Sequence, residues 1–333
     1  MNVLIIGGSN FLGPHVIDAL LRRKHRVTTF NRGRNPAPRG EGVERIVGDR
    51  AADIDRLRGR DFDAVIDTCG FFPRIVAMSV DALAPMVRSY VFVSSISVYV
   101  DPMEPPRDES CALATIDDPT IEEITPESYG ALKALCEAAV TKKMEGRAAI
   151  VRPGLVVGPL DPTDRFTYWP HRAAAGGEML VPGAPEHNIS FIDVRDLAEF
   201  IAGAAELDLR GTFNASGDTA RTTMGELIAS CLRAAGGDTK ATWVDEQFVK
   251  ANEIVPWSEL PAWIPTGEDS LMWATSAKAV AAGLRYRPLD ETVKAVLEYT
   301  REKGLGRALK AGLSREREAE LLRRWHELAI AKL

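Results

Sequence analysis

Cysteine is scarce in this chain. There are four in 333 residues, Cys69, Cys111, Cys136 and Cys231, with no CxxC pair and no neighbouring histidine at ligand spacing. That spacing excludes a disulfide framework and a zinc module, and predicts unpaired thiols in a reducing compartment. His15, His25, His171, His187 and His326 are equally scattered, so no metal site is expected. Long apolar runs are missing too. Nothing approaches the roughly 20 apolar residues that span a bilayer, and the opening Val3-Leu4-Ile5-Ile6 lacks the length and basic flank of a secretion signal. Positive charge is not in excess either: 41 Lys and Arg face 47 Asp and Glu, for a formal net charge of −6. Such a balance leaves no electrostatic footprint for nucleic acid or an anionic membrane. The expectation is a cytoplasmic protein acting on a small molecule, with no nucleic-acid or membrane partner.

What is present is a regular alternation of elements, in a chain long enough for one large core or two coupled domains. Short apolar or β-branched runs at Val3–Ile6, Arg26–Phe30, Val43–Val47, Asp63–Asp67, Tyr90–Ser94 and Ala148–Val151 read as strands. Helical spacing follows at Gly13–Arg23, from Pro73, and from Pro126 to about Met144. Strands alternating with helices predict an α/β fold with a Rossmann-type doubly wound parallel sheet. Beyond Arg152-Pro153-Gly154 the alternation loosens and aromatics gather. Residues 1–154 are therefore read as a dinucleotide-binding domain, and 155–333 as a smaller, mixed substrate-binding region. Within the latter, 191–215 returns to the core sheet through strands at Phe191–Val194 and Thr212–Asn214, and Ser314–Leu333 forms an amphipathic helix.

The first strand runs into Gly7-Gly8-Ser9-Asn10-Phe11-Leu12-Gly13 and then a helix. Glycine permits the tight turn and lets a helix N-terminus face a pyrophosphate, so this context predicts a nicotinamide dinucleotide site. The three-residue steps Gly7, Asn10, Gly13 resemble the nucleotide turn of the extended short-chain dehydrogenase/reductase superfamily, the NAD-dependent epimerase/dehydratase family. Asn10 replaces the middle glycine. Asparagine tolerates a left-handed backbone well, so the turn is expected to survive, in an atypical branch. The resemblance covers about residues 1–220. It implies cofactor contacts from Gly7, Ser9, Asn10, Phe11, Leu12 and Gly13, from Asp49 (adenine) and Arg50, from Thr68 and Cys69, and from Ser94 and Pro153.

The second strand ends in Asn31-Arg32-Gly33-Arg34. An NAD site usually places a carboxylate there for the ribose hydroxyls. Here two guanidinium groups follow instead, which suit a 2′-phosphate. Asn31, Arg32 and Arg34 therefore favour NADP(H), with NAD(H) left open.

Tyr129 and Lys133 stand four residues apart on one helix face. A phenol is a poor acid–base group at neutral pH, and an adjacent ammonium draws its pKa toward the working range. The resemblance extends to Ser94-Ser95-Ile96-Ser97-Val98-Tyr99, aligned on the family's Ser-Ser-x-x-Val-Tyr. It implies a catalytic set in which Tyr129 exchanges a proton with substrate oxygen, Lys133 holds the nicotinamide ribose, and Ser95 fixes the oxygen while Ser97 touches substrate.

Sugar-nucleotide members hold the diphosphate with an asparagine and an arginine. Their aligned positions here are Leu155 and Ile189, although Asn188 and His187 lie nearby. The Asp-Glu pair of the dehydratases is replaced by Ile96 and Ser97. The resulting expectation is an oxidoreductase working on a small or partly apolar hydroxyl or carbonyl compound. Phe71, Phe72, Tyr168 and Trp169 are candidate pocket walls. An epimerase with retained cofactor is the alternative. A third reading, a non-catalytic nucleotide- or RNA-binding member like some plastid relatives, is disfavoured by the net charge. A homodimer is compatible with the superfamily.

Overall fold

The computed structural model describes residues 1–35, 42–217 and 222–331, and these form two compact units. The first comprises Met1–Val156, Val194–Gly217 and Trp273–Tyr286. Its centre is a seven-stranded sheet of β1 (Asn2–Ile6), β2 (Arg26–Asn31), β3 (Val43–Val47), β4 (Ala64–Asp67), β5 (Ser89–Val93), β6 (Ala148–Pro153) and β7 (Gly211–Ala215). The spatial order is β7-β6-β5-β4-β1-β2-β3, and every neighbouring pair is parallel. Parallel strands need crossovers that cover both faces, which is why β1, β4 and β5 read as nearly unbroken apolar runs.

Four helices make that cover: α1 (Leu12–Arg22), α2 (Pro73–Leu83), α3 (Pro126–Met144) and α4 (Val194–Glu206). On one face α1 packs against α4, and on the other α2 packs against α3. Under α2 and α3 a single core joins Leu4, Val65 and Phe92 of the sheet to Val76, Val80, Cys136 and Val140 of the helices. The strand order reverses at β1, flanked by β2 and β4. In open α/β sheets the crevice at the carboxyl ends beside such a switch point is where ligands bind.

Two expectations change. Phe191–Val194 is not one strand: a two-residue bridge at Ile192–Asp193 passes directly into α4 at Val194. Val194, Leu197, Ala198 and Ile201 are buried at helical spacing, and that stripe recruits Val194 into the helix. In the glycine turn, Asn10 does not take a positive φ; Phe11 does, at φ 37°.

The second unit comprises Val157–Asp193, Asp218–Met272 and Arg287–Leu333. It holds a parallel pair of strands, Glu178–Pro182 with Lys240–Val244, and helices Met224–Ala235, Leu289–Lys303 and Arg315–Ala331. The expected tail helix is therefore present, with residues 332–333 outside the described ones. No helix among the described residues is long and apolar enough to cross a membrane.

Candidate active site

The glycine turn closes β1 against α1. The Gly7 amide donates to the Phe30 carbonyl at 2.9 Å, and the Gly13 amide to the Asn10 carbonyl at 2.9 Å. A Cβ on Gly13 would stand 2.4 Å from the Gly8 backbone, so only glycine lets the helix start this close to the turn. Helix α1 also begins without a side-chain cap, whereas α3 opens with a capping box. Uncapped amides at a helix N-terminus beside a glycine turn are what a pyrophosphate needs, so these residues fit a dinucleotide.

Several expected cofactor residues prove to brace this turn. The Thr68 hydroxyl donates to the Ile6 carbonyl at 3.0 Å and receives the Gly8 amide at 3.3 Å. Asn31 Nδ2 donates to the Gly7 carbonyl at 2.9 Å. The Arg50 guanidinium is spent inside the protein, in a two-pronged pair with Asp67 at 2.8 and 2.9 Å and on Ser79 Oγ at 3.1 Å. Asp67 is fully buried and takes the Tyr90 hydroxyl as well, at 2.9 Å. A buried carboxylate demands such partners, which is why Arg50 turns inward. The Cys69 thiol lies 3.7 Å from Arg50, and burial raises its pKa to about 11. Asp49 receives the Ala51 amide at 2.9 Å. Ser94, at the end of β5, has a buried hydroxyl with no hydrogen-bond partner, and Pro153 ends β6.

The elements carrying the residues expected to transfer the proton do pack together. A short turn, Ile96–Val98, follows β5, with Ser95 Oγ receiving the Ser97 amide at 3.1 Å and donating to Ser97 Oγ at 3.0 Å. Opposite it, α3 opens with Thr125 and Ser128 capping one another, which fixes the first turn carrying Tyr129. The approach depends on Gly130, where a Cβ would lie 2.0 Å from the Ser97 carbonyl. With that space free, the turn of α3 that bears Tyr129 packs against the Ser95 turn. Burial raises the phenol's pKa, and the neighbouring Ser95 hydroxyl opposes that rise.

One turn along, Lys133 is only 3% exposed. Its ammonium donates to the carbonyls of Gly70 at 2.8 Å and Val93 at 2.7 Å, and lies 4.5 Å from the Phe92 ring centroid and 5.4 Å from that of Phe71. Burial pushes its pKa down to about 8, against the pull of Cys136, Asp67 and Glu137. Phe71 is 39% exposed beside this ammonium. Phe72 precedes α2. By contrast, Tyr168 and Trp169 are packed in the interior of the second unit, where the Trp169 indole donates to the Pro261 carbonyl at 2.7 Å. Their expected place in a pocket wall gives way to a core role there.

Sequence reasoning overlooked the buried group behind this site. Arg152 on β6 forms a two-pronged pair with Glu137 of α3 at 2.6 and 2.9 Å, and donates to the Tyr99 hydroxyl at 2.7 Å. Tyr99 in turn donates to Asn214 Oδ1 at 2.6 Å. Tyr99 ends the Ser95 turn, so one guanidinium ties that turn to the helix bearing Tyr129 and Lys133. Glu137, one turn beyond Lys133, was the visible signal.

The parallel sheet, its switch point and the uncapped glycine turn define a dinucleotide-binding protein of Rossmann type. Residues 3–215 match the NAD dependent epimerase/dehydratase family, and the chain belongs to it. It is 28% identical over 253 residues to the chloroplast stem-loop binding protein of 41 kDa b of Arabidopsis thaliana, across 70% of this chain and 63% of that one. It is 28% identical over 222 residues to the 2-alkyl-3-oxoalkanoate reductase of Stenotrophomonas maltophilia, across 61% of this chain and 65% of that one. The chain thus spans somewhat under two thirds of each relative's length. UDP-glucuronic acid 4-epimerase from Bacillus cereus, solved in complex with NAD, shares the fold at a TM-score of 0.64 and 18% identity, over 93% of this chain and 100% of that one.

Proposed function

We propose that this chain is an NADP(H)-dependent oxidoreductase that interconverts a hydroxyl and a carbonyl on a small or partly apolar substrate. The observation that carries the reading is the buried Lys133 ammonium, fixed on the Gly70 and Val93 carbonyls one helical turn beyond Tyr129, where α3 packs on the Ser95 turn of a fold with a dinucleotide-type glycine turn. Bound along Gly7–Gly13, NADP(H) would supply or accept the hydride. Tyr129 would pass the proton to or from the substrate oxygen, and Ser95 would orient that oxygen. Lys133, fixed by the Gly70 and Val93 carbonyls, would keep its remaining N–H for the nicotinamide ribose.

The name of the reductase relative supports a ketone substrate with alkyl character, as does the exposed Phe71 ring beside Lys133. The test is to offer NADPH with a panel of ketones that includes 2-alkyl-3-oxo acids. NADPH consumed mole for mole with ketone is the expected result. An epimerase would leave the dinucleotide absorbance unchanged and purify with cofactor bound.

The stem-loop-binding relative raises a second reading, an RNA-binding member. A net charge of −6 weighs against it. Salt-sensitive retention on RNA, with no turnover on any ketone, would favour it instead.

A further inference from the structure

Three guanidinium groups belong to the loop at the tip of β2, and no carboxylate among the described residues pairs with any of them. Two are Arg32 and Arg34. The third, Arg45, lies on β3 in register with Thr29, and its side chain crosses to the loop. Arg45 Nη2 donates to the Asn35 carbonyl at 2.9 Å and to Asn31 Oδ1 at 3.3 Å. Its Nε is buried without a partner, and Nη1 has none among the described residues. The loop is fastened to the glycine turn at two points: Asn31 Nδ2 on the Gly7 carbonyl at 2.9 Å, and Asn35 Nδ2 on the Ser9 carbonyl at 3.3 Å.

Like charges on one loop with no acid paired to them among the described residues repel one another, and a partly buried guanidinium with unused donors is costly. A dianion beside the turn that faces the pyrophosphate would relieve both. Asn31 cannot stand in for the carboxylate of an NAD site, because its Oδ1 already receives the Gly33 amide at 3.1 Å and Arg45. We propose that Arg45 is a third specificity-determining cation, completing with Arg32 and Arg34 a site for the phosphate monoester on the adenosine ribose of NADP(H). Asn31 is then a positioning residue, holding Arg45 and the turn in one frame. This inference rests on the NADP(H) reading above.

The two are separated by measuring Kd for NADPH and NADH, by fluorescence titration, in the wild type and in Arg45→Gln. Glutamine keeps a donor for the Asn35 carbonyl while removing the charge. The wild type is expected to prefer NADPH. Arg45→Gln is expected to weaken NADPH about tenfold or more, leave NADH within about twofold, and flatten the salt dependence of NADPH binding. Equal losses for both dinucleotides would overturn the role of Arg45 and leave the NADP(H) reading standing. A wild type that binds NADH as tightly as NADPH would overturn that reading itself, and this inference with it. If Arg45→Gln does not fold, Arg45→Lys is read in the same way, with a smaller loss confined to NADPH.

Discussion

The side-chain amide of Asn31 donates to the carbonyl of Gly7 at 2.9 Å, so the tip of the second strand is a brace for the dinucleotide turn. That position commonly reads the cofactor's ribose. In the NADP(H) reading proposed above, recognition passes to the arginines around it, and the two jobs can be separated by mutation.

Asn31→Ala removes three hydrogen bonds that hold the turn and loop. It should weaken both dinucleotides through the turn, by about 1–2 kcal/mol, and NADPH somewhat more because Arg45 loses one of its anchors. Arg32→Ala should weaken NADPH far more than NADH. Titrating both dinucleotides against both variants checks the contrast, and equal losses in Arg32→Ala would remove the case for 2′-phosphate recognition.

Tyr129→Phe keeps the ring and deletes the acid. Turnover should fall by about 10²–10⁴ while NADPH affinity stays nearly intact. Normal turnover in this variant would end the proposed acid–base role.

Gly130→Ala places a methyl 2.0 Å from the Ser97 carbonyl. The helix must retreat from the Ser95 turn, at a cost of about 1–3 kcal/mol in stability. A lower Tm is expected, with a kcat loss beyond what the folded fraction explains. Wild-type kcat would mean that the close approach of α3 to the Ser95 turn is not needed.

Lys133 is a base whose folded pKa, about 8, lies below its ordinary 10.5 because of burial. Between those values the unfolded chain binds the proton and the folded chain does not, so this group's contribution to stability becomes more favourable as pH rises from about 8 to 10.5. Below about 8 its burial penalty is present in full. Urea unfolding of wild type and Lys133→Met across this range should show the wild type gaining relative to the variant. A difference independent of pH would place the folded pKa near its ordinary value.

Glu137→Gln should cost about 3–5 kcal/mol, because it strands the buried Arg152 guanidinium. Replacing both with apolar residues of similar size should recover most of the Tm. A Tm unchanged in Glu137→Gln would show that Arg152 is held adequately by Tyr99.

Much of the fold was legible because its signals are local. Val43–Val47 and the start of the helix at Pro73 agree with the sequence reading, and the other strands of the first domain differ by one or two residues at their ends. Apolar runs, proline at a first turn and the glycine turn each speak through a few consecutive residues. The second unit was less readable. Its strands Glu178–Pro182 and Lys240–Val244 pair across about sixty residues, and neither carries a turn signal that pairs it with the other.

The sequence by itself determined the α/β class, the glycine turn and the placing of Tyr129 and Lys133 on one helix face, since period, glycine spacing and helical offset are properties of the chain. The tertiary structure decided which polar groups are spent on the protein itself. It turned Arg50 toward Asp67 and Asn31 toward Gly7, brought Arg45 across from the neighbouring strand, and set Arg152 between Glu137 and Tyr99. Those outcomes follow from the need to satisfy buried charge with whatever partner the packed sheet delivers, and no local pattern encodes which partner that is.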